Sequence, residues 1–454
     1  MDWKTQKVLV AGSGKSGIGA TDLLKKVGAE VIIYDGNDKL KEEDVLNKLE
    51  NKEDVKVILG ELEDSVINEI DMMVLSPGIA IDAPFVLRVK EAGVPIWGEI
   101  ELAYVIGKGK LAAITGTNGK TTTTALVGEI MANYYDKVDV VGNIGNPYTT
   151  TAFDSTDDTV TVAEISSFQL ETIHTFKPDV SAVLNITPDH LNRHYTMECY
   201  TDVKMSIAKN QDSNQPIVLN YEDPILREYA GKLTNRIIWF SSKQKVNPGV
   251  YLEGKNIIYA DEKKETFVTT TEDTTLVGIH NVENIMAAIA ISINMDVPVD
   301  IIRETIRKFK AVPHRIEYVE TINDVIYYND SKGTNTDASI KAIEAMSRPT
   351  ILIAGGYDKK VSFDDWAEAF GDKVKCLVLL GQTAEQIADT VKKHGFTNII
   401  FTESLKEAVD ECAKNAKPGD AVLLSPACAS WGMFDNYEQR GDMFKEYVRA
   451  MCEK

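Results

Sequence analysis

An apolar run, Lys110–Thr115, leads directly into Gly116-Thr117-Asn118-Gly119-Lys120-Thr121-Thr122-Thr123. An apolar stretch with helical spacing (Ala125, Leu126, Ile130) follows. This junction constrains the fold more than any other part of the chain. A strand that hands a glycine loop to a helix N-terminus belongs to a parallel α/β sheet. The glycines let backbone N–H groups turn toward phosphate oxygens, and the helix N-terminus adds positive potential. Lys120 can reach the outer phosphates of a nucleotide, and a hydroxyl at Thr121 or Thr122 can sit on Mg²⁺. Gly116 through Thr123 are therefore candidate nucleotide-binding residues, with Thr121 a candidate metal ligand. The spacing departs from the usual Walker pattern: Gly116 lies three residues before Gly119, not five. An ordinary glycine turn before a helix is the competing reading.

The rest of the chain repeats the alternation. Lys7–Ala11, Val31–Tyr34, Val55–Leu59, Met72–Leu75 and Val94–Trp97 read as strands, with Thr21–Val27 and Ala83–Ala92 helical between them. A second unit continues from Lys110–Thr115 through Val138–Val141, Thr159–Ile165, Val180–Ile186 and Ile217–Asn220. A polar, β-rich stretch over Val250–Val277 and helices at Asn281–Ile293 and Ile301–Phe309 complete it. Lys310–Arg315, with Pro313, reads as a hinge. A third unit has strands at Val325–Tyr328, Thr350–Ala354, Cys376–Leu380, Asn398–Phe401 and Ala421–Leu424. Strands alternating with helices predict parallel α/β sheets. At 454 residues the chain is long enough for about two to four domains.

Forty-nine basic against 69 acidic residues leave a formal charge of −20. Such a chain is repelled by phosphate backbones and anionic lipid, which argues against nucleic-acid or membrane-surface binding but permits an anionic ligand in a locally basic pocket. The five cysteines, Cys199, Cys376, Cys412, Cys428 and Cys452, are odd in number and lack CxxC spacing. They predict reduced thiols rather than disulfides or zinc. Lys7–Ala11 reads as a first strand rather than a signal peptide, and no apolar run approaches the ~20 residues of a membrane helix. The expected compartment is the cytoplasm.

Gly12-Ser-Gly14-Lys15-Ser16-Gly17 forms a second glycine loop, and Asp35 follows Gly17 by eighteen residues. Alone this is a dinucleotide fingerprint, so nicotinamide binding, capture of another diphosphate such as a nucleotide-sugar, and a purely structural turn all compete. A chain with its own phosphate loop favours the second. Glu164 ends a strand, and Asp189-His190 follow the next. Such a carboxylate and imidazole could ligate Mg²⁺ beside the loop, or be a solvated Glu and a surface His. Asn281 and Asn284 share a helix face. Capping explains one Asn, while two amides suit a purine or phosphate.

The motifs Gly-Thr-Asn-Gly-Lys-Thr-Thr, Glu164-Ile-Ser-Ser-Phe-Gln-Leu, Asn185-Ile-Thr-Pro-Asp-His, Gly278-Ile-His-Asn-Val-Glu-Asn, Ala311-Val-Pro-His-Arg-Ile-Glu and Asn329-Asp-Ser-Lys-Gly-Thr-Asn occur in this order. In this the chain resembles the Mur ligases, ATP-dependent amide-forming enzymes of peptidoglycan precursor synthesis, over essentially its whole length. The loop Gly12–Gly17, Leu75-Ser-Pro-Gly-Ile79 and the long block Leu424–Gly441 resemble the members that add D-glutamate to UDP-N-acetylmuramoyl-L-alanine. The resemblance implies an N-terminal Rossmann-like UDP-substrate domain (1–98), a central phosphate-loop ATPase domain (99–311) and a C-terminal Rossmann-like amino-acid domain (312–454). It implies ATP and Mg²⁺, an acyl-phosphate intermediate attacked by the D-glutamate amine, and domain closure to bring the two together. The expected partners are the two small substrates, with no nucleic acid, no membrane and a monomeric chain.

Position by position, the resemblance implies that Lys15, Ser16, Asp35, Gly36, Asn37 and Gly78 hold the uridine and its diphosphate. Asn143 and Ser166 hold the muramoyl part. Glu164 and His190 match Mg²⁺ positions, and Lys204 matches a lysine that is carbamylated in the family, which would make it a carboxylate-like ligand. Lys120, Glu164, His190 and Lys204 are the catalytic candidates. Asn281, Asn284, Arg315 and Asp330 match nucleotide contacts. Thr334, Lys359, Ser430 and Tyr437, with Lys332 and Trp431 beside them, match the D-glutamate pocket. Family members often read Asp-His-x-Asp where this chain reads Asp189-His190-Leu-Asn192. For Ser430 the competing reading is a cap on the helix after Ala421–Leu424. The rival activities are a sister amide ligase or folylpolyglutamate-type ligase with another amino acid, a nicotinamide dehydrogenase that leaves Lys120 unexplained, and a non-enzymatic nucleotide switch that leaves the third domain unexplained.

Overall fold

A computed structural model describes residues 1–143, 145–310, 312–358 and 361–452, and of Asn192 the backbone. Lys359 therefore lies outside the described residues. The chain packs as two compact units, Met1–Asp273 with Glu283–Lys308, and Thr274–Val282 with Phe309–Lys454. The boundary at 308/309 falls just before the expected hinge.

The first unit holds two sheets. In one, β1 (Lys7–Ala11), β2 (Glu30–Asp35), β3 (Lys56–Leu59), β4 (Met72–Leu75) and β5 (Ile96–Gly98) run parallel in the order β3-β2-β1-β4-β5. Helices cover both faces of such a sheet, so its strands are continuous apolar runs rather than alternating ones. Val8, Leu9, Val10 and Ala11 are all fully buried. The helix Lys15–Val27 starts straight after β1 because Gly17 allows it: a Cβ there would sit 1.8 Å from the Gly12 carbonyl oxygen.

The other sheet contains β6 (Lys110–Thr115), β7 (Val138–Gly142), β8 (Val160–Glu164), β9 (Val180–Val183), β10 (Pro216–Asn220), β11 (Arg236–Ser241), β12 (Gly249–Glu253), β13 (Asn256–Ala260) and β14 (Glu265–Thr270). Their order is β14-β13-β12-β11-β10-β9-β6-β8-β7, parallel except for the β12-β13-β14 meander. The polar Val250–Val277 stretch is thus the antiparallel edge of this sheet. One core joins Val8, Val10, Leu23 and Leu24 to Leu111, Ala113 and Ala163 through Ile100, Leu102 and Ala103 of the helix Glu99–Ile106.

The second unit has β15 (Glu317–Ile322), β16 (Val325–Asn329), β17 (Thr350–Ala354), β18 (Val374–Leu379), β19 (Ile399–Phe401) and β20 (Ala421–Leu424), in the order β15-β16-β20-β17-β18-β19. In this sheet β15 and β16 pair antiparallel and the other neighbours pair parallel. All five cysteines are free thiols. Among the described residues no helix is long and apolar enough to cross a membrane.

The helix Glu99–Ile106 buries an acid that holds the first unit together. Glu101 has no exposed surface and accepts from the backbone N–H groups of His174 (2.9 Å), Thr175 (2.6 Å) and Phe176 (3.0 Å), and from the Thr175 hydroxyl (2.6 Å). Removing the carboxylate strands four donors at once. Glu101→Ala is expected to lower unfolding stability by about 3 kcal/mol or more, read as a shift in the urea midpoint at unchanged slope.

Candidate functional site

The loop after β6 is built from positive-φ glycines. Gly116 has φ +151° and Gly119 +85°, and Gly119 caps the helix Lys120–Ala132. Asn185, just beyond β9, staples the loop in place. Its Oδ1 accepts from Asn118 N (2.8 Å), its Nδ2 donates to Asn118 O (3.0 Å), and its carbonyl accepts from Thr117 N (2.9 Å). The Thr117 hydroxyl lies 3.1 Å from the Thr187 carbonyl and 3.1 Å from the Tyr200 hydroxyl. Thr121, Thr122 and Thr123 are buried in the first helical turn.

Lys120 folds back over this loop, donating to the carbonyls of Gly116 and Thr117, both at 2.9 Å. The Lys204 ammonium reaches the same Gly116 carbonyl, also at 2.9 Å, from the helix Met197–Met205. Burial pushes the Lys204 pKa well below its ordinary value, and repulsion from Lys120 adds to that, against attraction from Asp189 and Glu164. Two expected catalytic lysines thus converge on one oxygen.

Glu164 ends β8 in register with Ile114 of β6 and is 1% exposed. Its Oε1 accepts from Asn143 Nδ2 at 3.0 Å, while its Oε2 is buried without a hydrogen-bond partner. An orphaned buried carboxylate oxygen beside a phosphate loop fits a cation ligand. His190 is half exposed, sits in the left-handed region (φ 52°), packs its ring against Phe168 (4.8 Å) and lies 3.5 Å from Asp189. Among the described residues no three His, Cys, Asp or Glu side chains cluster as a ready-made metal site. Asn284 belongs to the same site: a Cβ on Gly119 would come within 2.2 Å of its Oδ1. Ser166 caps the helix Ser167–Leu170 in a capping box with Gln169.

The expected uridine-diphosphate residues gather at the carboxyl end of the first sheet, where β1 lies between β2 and β4, a topological switch point. The loops after β1 and β4 touch, since a Cβ on Gly12 would lie 2.6 Å from Ser76 Oγ. Lys15, Gly36, Asn37 and Gly78 are exposed there and Ser16 is half-buried, with nothing within 4 Å of where a Gly78 side chain would start. Asp35 is committed to the loop, accepting from Ser13 N (3.0 Å), Ser13 Oγ (2.6 Å) and Asn37 N (3.1 Å). Burial works against its charge, but these donors win and hold the carboxyl below its usual range. A carboxylate so engaged orders the turn after β1.

In the second unit the remaining candidates collect beyond the carboxyl ends of β16 and β20. Asp330 is buried, bonded to Ser425 Oγ (2.7 Å) and Ile316 N (3.3 Å), and burial raises its pKa to about 7. Arg315 sits between two residues of positive φ, His314 (64°) and Ile316 (45°), so its backbone is held in a strained setting. Lys332 lies over the Tyr437 ring at 5.3 Å, and Thr334 N donates to Lys332 O at 2.8 Å. Trp431 is exposed and meets Tyr357 edge-on at 5.5 Å. Ser430 is buried but does not cap the final helix: Tyr437–Arg449 is capped by Asn436, whose side chain accepts from Gln439 N. The cap reading of Ser430 is therefore wrong, because six residues of non-helical chain separate Ser430 from Tyr437. Asn281 lies inside the first turn of the helix Ile279–Asn294 and donates to the Val277 carbonyl (2.7 Å), so it is not that helix's cap either.

Sequence reasoning missed Glu99, Asn185, Gln169 and Arg440. Asn185 and Gln169 stood inside quoted motifs, but no spacing rule marks which polar residue of a motif braces the loop. Arg440 is 2% exposed and bonds Ser331 Oγ (2.9 Å), Ser331 O (2.8 Å) and Cys428 O (3.3 Å), tying two expected pocket segments together.

Three family models match the chain: a MurD-like N-terminal domain of Mur ligases over residues 6–98, a Mur ligase middle domain over 114–292, and a Mur ligase glutamate ligase domain over 314–428. A Lachnospira eligens protein named UDP-N-acetylmuramoylalanine--D-glutamate ligase is 58% identical, covering 99% of this chain and 100% of its own. A Clostridioides difficile protein of the same name is 47% identical over the same shares. Among solved structures, a MurF ligase from Thermotoga maritima in complex with ADP aligns with TM-score 0.62 at 18% identity, covering 99% of this chain and 100% of that one. A UDP-N-acetylmuramate-alanine ligase from the same organism aligns with TM-score 0.60 at 18% identity over the same shares. At that identity the structures show the shared fold alone.

The loop geometry yields a test. Gly119→Ala places a side chain at φ +85° and drives it into Asn284. The backbone term alone costs about 1–2 kcal/mol, and Gly119→Ala/Asn284→Ala should recover part of any loss beyond it in thermal unfolding. Equal stability of both variants would mean that the contact does not constrain the loop.

Proposed function

The chain belongs to the Mur ligase family, and from that premise we propose that it joins D-glutamate to UDP-N-acetylmuramoyl-L-alanine at the expense of ATP. The observation that carries the reading is the phosphate loop on which Lys120 and Lys204 converge beside the buried, half-satisfied Glu164. The relatives' shared name supports the choice of amino acid. The proposed division is a UDP-substrate domain to residue 98, an ATP domain to 311 and an amino-acid domain beyond. The reaction is placed in the cytoplasm, with a monomeric chain.

Loop N–H groups and Lys120 bind and orient the transferring phosphoryl group, with Asn281, Asn284, Arg315 and Asp330 on the nucleotide. The substrate carboxylate becomes an acyl phosphate, the D-glutamate amine attacks it, and phosphate leaves the tetrahedral intermediate. Thr121, Glu164, His190 and a carbamylated Lys204 would hold Mg²⁺, which when bound neutralises phosphate charge. The depressed pKa of Lys204 supports the carbamate, because a neutral amine adds CO₂ with loss of one proton. Lys15, Ser16, Asp35, Gly36, Asn37 and Gly78 take the uridine diphosphate, and Asn143 and Ser166 the muramoyl part. Lys332, Thr334, Lys359, Ser430, Trp431 and Tyr437 take D-glutamate, whose two carboxylates need donors at two places.

Phosphate release measured with ATP, Mg²⁺, the UDP substrate and a panel of amino acids tests the reading. D-glutamate is expected to work, with L-glutamate and D-alanine at least about a hundredfold poorer in kcat/KM, since a site built to hydrogen-bond a group rejects analogues that lack it. Turnover with another amino acid instead would favour a sister ligase. Ser430→Ala should raise the KM for D-glutamate about tenfold, one hydrogen bond's worth, and leave that for ATP alone. Lys204→Ala should be nearly inactive and partly restored by a small carboxylic acid. Full activity of the wild type in CO₂-free buffer would remove the carbamate from the scheme.

A further inference from the structure

The helix Glu99–Ile106 buries two acids in its first turn, Glu99 (2% exposed) and Glu101. Their surroundings differ. Both Glu101 oxygens are saturated by donors, as a structural brace requires. Glu99 has one partner: its Oε1 accepts from Gln169 Nε2 at 2.6 Å, and its Oε2 is buried without one. Burial raises the Glu99 pKa to about 7, so the fold keeps it at an electrostatic cost. A residue retained only for stability would be better as a well-packed apolar side chain.

The partner of Glu99 shows what it does. Gln169 Oε1 accepts from both Ser166 N (2.8 Å) and Ser166 Oγ (2.9 Å). A carboxamide has one carbonyl oxygen and one NH₂, so an acceptor at the NH₂ side decides which way it faces. Glu99 is that acceptor. With the amide held, the Ser166 hydroxyl proton points at Gln169, so toward any further group Ser166 Oγ can act only as an acceptor. Gln169 N also donates to that oxygen, at 3.3 Å, which leaves acceptor capacity but no donor.

We propose that Glu99 is a positioning residue that, through Gln169, fixes the Ser166 hydroxyl as a hydrogen-bond acceptor toward an N–H or O–H group of the sugar substrate. The proposal rests on the assignment of Ser166 to the muramoyl part. Glu99 touches no substrate and acts only through the amide, so its loss should weaken sugar binding without touching nucleotide binding.

Steady-state kinetics of the full chain, varying each substrate in turn, test the relay. Glu99→Leu, similar in volume but unable to accept, should raise the KM for UDP-N-acetylmuramoyl-L-alanine roughly tenfold, the worth of one hydrogen bond. The KM for ATP and kcat should change less than about twofold. Glu99→Gln keeps a carbonyl acceptor and should restore the wild-type KM. Gln169→Leu should match Glu99→Leu, and the double variant should be no worse than Gln169→Leu alone, because both break one chain of bonds. Should Glu99→Leu fail to fold, Glu99→Asp decides: it withdraws the carboxylate by one methylene and should still raise the sugar KM selectively. An unchanged sugar KM in the folded variants, an equal rise in both KM values, or additive losses in the double variant would overturn the relay. Wild-type enzyme that does not turn over the UDP substrate with D-glutamate would overturn the functional reading instead.

Discussion

The Gly116 carbonyl oxygen accepts from two lysines, Lys120 and Lys204, each at 2.9 Å, and the site of the first unit is arranged around that sharing. Two ammonium groups on one acceptor repel each other, and the cost grows as water is excluded. The chain meets it in two ways. Glu164 and Asp189 supply negative potential nearby, and burial shifts Lys204 toward its neutral form. Lys120 is then the cation held against the glycine loop, and with the helix N-terminus behind it a phosphate chain is the anion such a loop fits. The loop must not drift while it waits. The paired amide bonds of Asn185 to Asn118, and the Gly119–Asn284 approach, hold it from two further elements.

Local surroundings, not residue type, decide what each acid does. Asp35, half-buried among three donors, is held below its usual pKa and orders the first glycine loop. Asp330, buried with few donors, is raised to about 7. Glu101 and Glu99 lie two residues apart on one helix, yet one has every lone pair engaged and the other keeps a bare oxygen. The same contrast marks Glu164, whose second oxygen is left over once Asn143 has taken the first. A bare buried carboxylate oxygen costs stability, and Glu99 and Glu164 each keep one.

Most strands were legible because parallel strands with both faces covered are short apolar runs ended by glycine or polar turns. Lys7–Ala11, Met72–Leu75, Lys110–Thr115, Thr350–Ala354 and Ala421–Leu424 occur as read. Val180–Ile186 was read three residues too long, since Leu184 and Ile186 are buried in the loop that carries Asn185 and apolarity alone does not separate loop from strand. Glu317–Ile322 escaped reading because it is an antiparallel edge strand with only Val319 buried among its alternating neighbours. In the site, glycines and Lys120 announced themselves, as a phosphate loop needs those residues at fixed offsets. Glu99 did not: nothing in Trp-Gly-Glu-Ile-Glu-Leu says which acid is buried, or against what.

The amino-acid sequence by itself determined the class of fold, the two glycine loops, the order of the motifs and the family they belong to. Each of these is written in residues close together along the chain, where spacing and backbone freedom suffice. Only the tertiary structure decided which side chains meet. Lys204 reaches Gly116 across 88 residues, Glu99 reaches Gln169 across 70, and Asn185 reaches Asn118 across 67. Burial, which shifts the pKa of Lys204 down and those of Glu99 and Asp330 up, is a property of the packed sheets rather than of any segment. The capping of the last helix by Asn436 rather than Ser430 was decided in the same way, by where the chain leaves the sheet and how far it runs before it can turn into a helix.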